Sequence, residues 1–186
     1  VLTLTGGEPM LIKHYYQLLD HLIAKDKTDI NLRVYTNASV YNHIFVDKIL
    51  KFNTTLNLSI DGVGRTAELQ RTGTVWSTVQ DNVSKFIALP VQIKFHITLT
   101  NISIIDVHSL AKYFVEIVEN NPHCTFVAHT ANSPKYLAIY NLAPGLFNTA
   151  LRSIESALDI LVHPQFAQLR EQLIAHQSLI KSKLPV

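Results

Sequence analysis

The segment Gly6-Gly7-Glu8-Pro9 carries the residues best suited to chemistry in this 186-residue chain. Two glycines leave backbone carbonyls open to a ligand and Glu8 adds a carboxylate, a combination that suits a bound ammonium group. Pro9 stiffens the exit from the segment. Two more glycines, Gly62 and Gly64, follow Leu58-Ser59-Ile60-Asp61. The chain has only six glycines, and four of them stand directly after strand-like segments. Glycine there lets backbone approach a ligand or turn with positive φ. Tight strand-to-helix turns ask for glycine as well, so the glycines alone leave both readings open.

Elements of two periods surround these segments. Leu2 and Leu4, then Leu32, Val34 and Thr36, then Leu56, Leu58 and Ile60, then Phe95, Ile97 and Leu99 alternate with polar residues. Period two marks strands with two different faces. A fifth strand is expected near Cys124 to His129. Ile12, Tyr15, Tyr16, Leu19, Leu22 and Ile23 keep helical spacing, as do Val107, Leu110, Ala111, Phe114, Ile117 and Val118. Shorter or less regular helices are expected over 40–52 and 75–89, and two more over 145–162 and 165–181, with Pro164 between them. No internal repeat, low-complexity stretch or long linker divides the chain.

Strand–helix alternation predicts an α/β fold with a parallel sheet and right-handed crossovers. Strands covered on both faces usually read as unbroken apolar runs. Here one face carries Arg, Asn, Asp, Ser, Lys, His and Thr, which predicts an open, partial barrel with a polar lining. A closed barrel would fill that space with branched apolar side chains.

Composition narrows the class. Hydrophobic residues are 47% and charged residues 16%, too apolar for a disordered chain. The longest apolar runs are about as short as Ile87 to Val91, so no membrane span is expected. The net charge of +2 comes from scattered residues, which predicts no nucleic-acid partner. The lone cysteine, Cys124, suits a cytoplasmic setting. The chain starts on a strand at Val1 without Met or lead-in, and we expect a fragment whose N-terminal part precedes it.

Three motifs in order resemble the radical SAM superfamily. Gly6-Gly7-Glu8-Pro9 resembles its amino-group motif for S-adenosylmethionine at the end of the second barrel strand. Tyr35-Thr36-Asn37-Ala38 is similar to the Thr-Asn-Gly end of the third strand, with Ala38 in place of the usual glycine. Leu58-Ser59-Ile60-Asp61-Gly62 is similar to the fourth-strand Ser-Ile-Asp-Gly. Glu68-Leu69-Gln70-Arg71, followed by Trp76, resembles the Arg-containing segment after that strand. The nearest resemblance is to twitch-domain members. It covers residues 1–130 as a barrel core lacking its first strand, with 131–186 as a mainly helical C-terminal extension.

The resemblance implies an enzyme that cleaves S-adenosylmethionine reductively and abstracts a hydrogen from its substrate, for which a peptide is a reasonable guess. By carry-over, Gly6, Gly7, Glu8 and Pro9 surround the methionyl ammonium. Arg71 pairs with the carboxylate, a task that suits guanidinium. Ser59, Asp61, Asn37, His96 and Thr98 face cofactor or substrate from the barrel lining. An electron donor of flavodoxin or ferredoxin type is implied as partner. So is a 4Fe–4S cluster on a Cys-x-x-x-Cys-x-x-Cys triad. That triad is absent from this chain, its ligands are expected upstream of Val1, and the chain as given is expected to be inactive. No cysteine follows Cys124 to ligate an auxiliary cluster.

Blander readings stand beside these. His123, Cys124 and His129 lack a zinc spacing and a fourth ligand. Tyr15, Tyr16 and Phe114 read as core. Ser59 and Asp61 could brace the turn instead of touching ligand. Gly62-Val63-Gly64-Arg65-Thr66-Ala67, with Asp81 downstream, fits a Gly-x-Gly-x-x-Ala dinucleotide fingerprint, but the helical pattern is expected to begin only near Val75. The alternative function is a cluster-less α/β module that binds S-adenosylmethionine or a nucleotide without catalysis.

Overall fold

Apolar residues on one side of each strand segment need burial, and the helices between the strands supply it. The computed structural model describes residues Val1–Leu184. Its sheet is open and has five parallel strands in the order β1 (Leu2–Leu4), β2 (Asn31–Thr36), β3 (Asn53–Ser59), β4 (Gln92–Leu99) and β5 (Thr125–Thr130). Sequential order in a parallel sheet requires a crossover between each pair of neighbours. Those crossovers hold α1 (Lys13–Ala24), α2 (His43–Ile49), α3 (Gly64–Gln70) with α4 (Trp76–Ile87), and α5 (Val107–Asn120). After β5 come α6 (Phe147–Ile160) and α7 (Ala167–Lys181). The fold class is the open, partial parallel β/α barrel expected from the sequence.

The chain divides into two compact units. The first is Val1–Ser59 with Thr74–Phe95; the second is Ile60–Gly73 with His96 to the end of the described residues. In the first unit Leu32 pairs with Thr54 and Leu2 in register, and Val34 with Leu56 and Leu4. Leu4, Leu32, Val34, Leu56, Leu58, Ile93 and Phe95 are buried, as are Leu19, Phe45, Ile49, Val83 and Phe86 from the helices. Tyr16 and Phe45 meet edge to face with ring centres 5.1 Å apart.

In the second unit a row of rings links strand and helices. Phe114 of α5 lies 5.0 Å from Phe126 of β5, which lies 4.9 Å from Phe166. Helix α6 packs against α5, and α7 packs against α6 and β5. Thr130 donates to Gln172 Oε1 at 2.8 Å and lies 2.8 Å from His176 Nε2. With the hydroxyl proton given to Gln172, His176 must donate through Nε2. Burial holds the His176 pKa below the ordinary histidine value. The C-terminal helices therefore belong to the core of the second unit.

Two boundaries differ from the sequence expectation. Helix α2 starts later than 40 because Asn42 caps it, accepting from the Phe45 N–H at 3.2 Å, and it ends at Ile49, short of 52. Helix α3 departs from the expectation that the helical pattern begins near Val75. Its seven residues bury only Ala67, and one buried residue leaves no periodicity to detect. Among the described residues, no helix is long and apolar enough to cross a membrane.

Candidate functional site

The end of β1 in the first unit carries a buried carboxylate in an open loop. Gly6 and Gly7 have φ of +92° and +60°, in the region that favours glycine. A Cβ on either would meet nothing within 4 Å, so backbone conformation explains these glycines and the space before them is free. Glu8 follows at 8% exposure. The Thr36 hydroxyl lies 2.8 Å from each carboxylate oxygen and shares its single proton between them. The Asn37 N–H donates to Oε2 at 3.2 Å and the Met10 N–H to Oε1 at 3.4 Å.

These donors favour the ionised carboxylate, yet desolvation is the larger effect and holds the Glu8 pKa above the ordinary glutamate value. A cation at this carboxylate would offset the desolvation. The Tyr16 phenol, which donates to the Met10 carbonyl at 2.6 Å, has a raised pKa, from burial first and from Glu8 second.

The neighbouring turn holds that carboxylate in place. Thr36 Oγ1 accepts from the Ala38 N–H at 3.0 Å while donating to Glu8. Asn37 Oδ1 accepts from the Ser39 N–H at 2.9 Å, which leaves the Asn37 amide hydrogens without a partner among the described residues. Ala38 stands in the left-handed region at φ +59°, where the resembling family has glycine. Asn82 fixes it there, donating to the Ala38 carbonyl at 2.9 Å. Tyr15 donates to the Thr5 carbonyl at 2.7 Å. The two tyrosines read from sequence as core are half-buried and brace the Gly6–Glu8 loop from both sides. Ser59 lies one residue beyond the Thr36–Leu58 register pair, beside Asn37, and its hydroxyl has no partner among the described residues.

In the second unit, Asp61 is the centre of a second network. Its Oδ1 accepts from the Thr98 N–H at 2.7 Å and its Oδ2 pairs with Arg71. The Asp61 carbonyl accepts from Gln70 Nε2 at 3.2 Å, and Gln70 Oε1 accepts from the Thr100 hydroxyl at 2.8 Å. Gly62 fits beneath α3: a Cβ there would stand 2.9 Å from Gln70 Nε2 and 3.0 Å from Thr66 Cγ2. Arg71, its side chain 41% exposed, is thus held by Asp61 with part of its guanidinium turned to solvent. The His96 ring stacks on His129 with centres 6.1 Å apart, and the His96 carbonyl accepts from the Ile60 N–H at 3.0 Å.

Gly6, Gly7, Glu8, Pro9, Asn37 and Ser59 therefore lie at strand ends of the first unit, and Asp61, Arg71 and His96 in the second. Thr36 and Gln70 were missed by sequence reasoning, and Thr98, read from sequence with His96 as a residue facing cofactor or substrate, serves Asp61 instead. Thr36 had a signal: a hydroxyl at the apolar position of a strand needs a buried partner. The Thr98 contribution is a backbone N–H, which no side chain announces. Helix α3 opens on Gly64, so the dinucleotide fingerprint does have the helix that the sequence reading denied it. That helix is a bare seven residues, and the space at Gly62 is taken by its own side chains.

Among the described residues no three His, Cys, Asp or Glu side chains are placed to hold a metal ion. Cys124 is fully buried and its thiol pKa is pushed up to about 11 by desolvation. A thiolate ligand needs the opposite environment, so the residues of this chain do not fit an iron–sulfur cluster. The Glu8 loop, by contrast, fits the ammonium end of an amino-acid-like ligand.

No family model matches the chain, and no curated protein matches it. Solved structures do. Native anSMEcpe with bound AdoMet and Kp18Cys peptide is similar at a TM-score of 0.59 and 18% identity, over 85% of this chain and 46% of that one. The same protein with AdoMet and Cp18Cys peptide gives 0.58 and 18%, over 84% and 46%. A histidine-tagged form with bound AdoMet gives 0.58 and 19%, over 84% and 44%. The chain shares the fold of these structures and spans about half their length.

Proposed function

We propose that this chain is the S-adenosylmethionine-binding part of a radical SAM enzyme. The observation that carries the proposal is the buried Glu8 carboxylate, desolvated at the end of β1 beside two positive-φ glycines in open space. Such a carboxylate favours a cationic ligand, and the methionyl ammonium is one. Gly6 and Gly7 present backbone carbonyls to it, and the Asn37 amide hydrogens remain open to an acceptor elsewhere on the ligand. In the second unit Arg71, steadied by Asp61, keeps guanidinium donors turned to solvent, as the resemblance implies for a residue that pairs with a carboxylate. Ser59, at the end of β3 beside Asn37, adds a free hydroxyl to the same strand ends. The fold supports the reading, because the anSMEcpe chains that share it hold AdoMet.

A 4Fe–4S cluster would have to be held by cysteines that this chain does not carry, and it would supply the electron for reductive cleavage of S-adenosylmethionine. The proposal includes a flavodoxin- or ferredoxin-like donor and a peptide as the leading substrate class.

The test is S-adenosylmethionine binding to the intact, cluster-loaded protein. Glu8→Ala and Arg71→Ala are each expected to weaken it by about tenfold or more, as loss of a charge-assisted contact does. Unchanged affinity in both variants would sink the assignment. A second reading, a module that binds the cofactor without chemistry, rests on the missing thiolates. It requires binding by an intact protein that lacks a cysteine triad altogether.

A further inference from the structure

The five strands contain two permanently charged residues, Arg33 on β2 and Lys94 on β4, and both are cations. Both stand in the first unit and on the same face. Alternation buries Leu32, Val34 and Thr36 of β2 and leaves Arg33 and Tyr35 on the side away from the helices. That side carries Thr55 and Asn57 on β3, and Lys94 on β4 between buried Ile93 and Phe95. Arg33 pairs in register with Thr55, and Tyr35 with Asn57. Thr55 Oγ1 donates to Gln92 Oε1 at 3.0 Å, which places Lys94, two residues along, beside Asn57.

The two cations therefore flank β3 on a diagonal, two strand spacings across the sheet and two residues along it, about 12 Å apart. Asn57 between them is buried at 2% exposure and its amide is spent on the Val34 and Thr55 carbonyls, so a shared group would meet the two flexible head groups and not this amide. Nothing among the described residues neutralises them. The ion pairs there are Lys48–Asp20, Arg71–Asp61 and Lys181–Glu155, and no strand bears a carboxylate. At that separation the mutual repulsion of the two cations is largely screened, so what the face offers an anion is two cations without an ion-pair partner among the described residues.

We propose that this face of the first unit binds an oxyanion, a carboxylate or phosphate group, with Arg33 as the bidentate partner and Lys94 as the point charge. Assigning that anion to the molecule acted upon rests on the function proposed above; the charge arrangement does not.

The test titrates the protein with succinate and, separately, with inorganic phosphate, following backbone amide shifts by NMR and affinity by calorimetry. One of the two is expected to bind with a dissociation constant on the order of millimolar, with shifts centred on β2 to β4. Preference for succinate assigns a carboxylate, and preference for phosphate a phosphoryl group. Arg33→Gln and Lys94→Gln should each weaken binding about tenfold. Arg33→Lys, which keeps the charge and loses the fork, should fall between. The proposal is overturned if neither anion gives saturable shifts on this face, or if both glutamine variants bind as the unaltered protein does. S-adenosylmethionine binding measured in parallel separates the two ideas. Cofactor binding without anion binding removes only this subsite. Anion binding without cofactor binding removes the proposed function and leaves the subsite.

Discussion

Replacing Thr36 with valine tests whether the hydroxyl between Glu8 and Ala38 holds the loop. The two side chains have nearly the same shape, so Thr36→Val opens no cavity at this buried position. Two interactions disappear. Glu8 loses a charge-assisted hydrogen bond, worth about 1.5–3 kcal/mol, and the Ala38 N–H loses its acceptor, worth about 1 kcal/mol. Burying a methyl in place of the hydroxyl returns about 0.8 kcal/mol. The net expected loss is about 2–3 kcal/mol at pH 8. In urea unfolding that is a fall in midpoint of about 1 M, at a typical slope of about 2 kcal/mol per M. The loss has a pH signature. Once Glu8 is protonated the charge-assisted part is gone, so the penalty should shrink below the raised Glu8 pKa, to about 1 kcal/mol for two neutral bonds partly offset by the methyl. It should also shrink in a Glu8→Gln background. An equal midpoint shift at pH 4 and pH 8, or in both backgrounds, would refute the argument that Thr36 acts through the Glu8 carboxylate.

Two further predictions concern the same networks. Because burial raises the Glu8 pKa above 4.5 in the folded state, the native protein holds a proton that the unfolded chain releases. Glu8 therefore lowers stability progressively as pH rises from about 4.5 through the folded value, and the full loss persists above it. Glu8→Gln should flatten that part of the stability–pH curve, and a curve of unchanged slope in urea unfolding would refute it. Gly62→Ala should cost about 1–3 kcal/mol by overpacking. Its Cβ would meet Gln70 and Thr66, which are tied down by the Asp61 carbonyl, Thr100 and Asp106. A thermal midpoint within a degree of the unaltered protein would show that α3 shifts freely.

Strand–helix alternation and a polar strand face were legible in the residues because they depend on period, which each segment carries by itself. Leu32-x-Val34 and Phe95-x-Ile97 bury one side of a strand whatever they pack against. The Gly6-Gly7-Glu8-Pro9 segment was legible for a related reason, since a positive φ leaves glycine in the sequence. Helix α3 was not, because seven residues with one buried side chain give no period. Nor was the role of α6 and α7: their amphipathic patterns announce helices, but which surfaces they cover is fixed by Phe114, Phe126 and Phe166 meeting across long sequence separations.

The chain thus determined locally where its strands, most of its helices and its chemically capable residues fall. Tertiary structure alone decided what those residues face. Sequence could not show that Thr36 shares its proton between the two Glu8 oxygens, 28 residues away. Nor could it show that Asp61 would take a backbone N–H from Thr98 while holding Arg71. The reason is physical. Charge state and hydrogen-bond partnership follow from burial and from neighbours brought together by strand register, and register is a property of the assembled sheet.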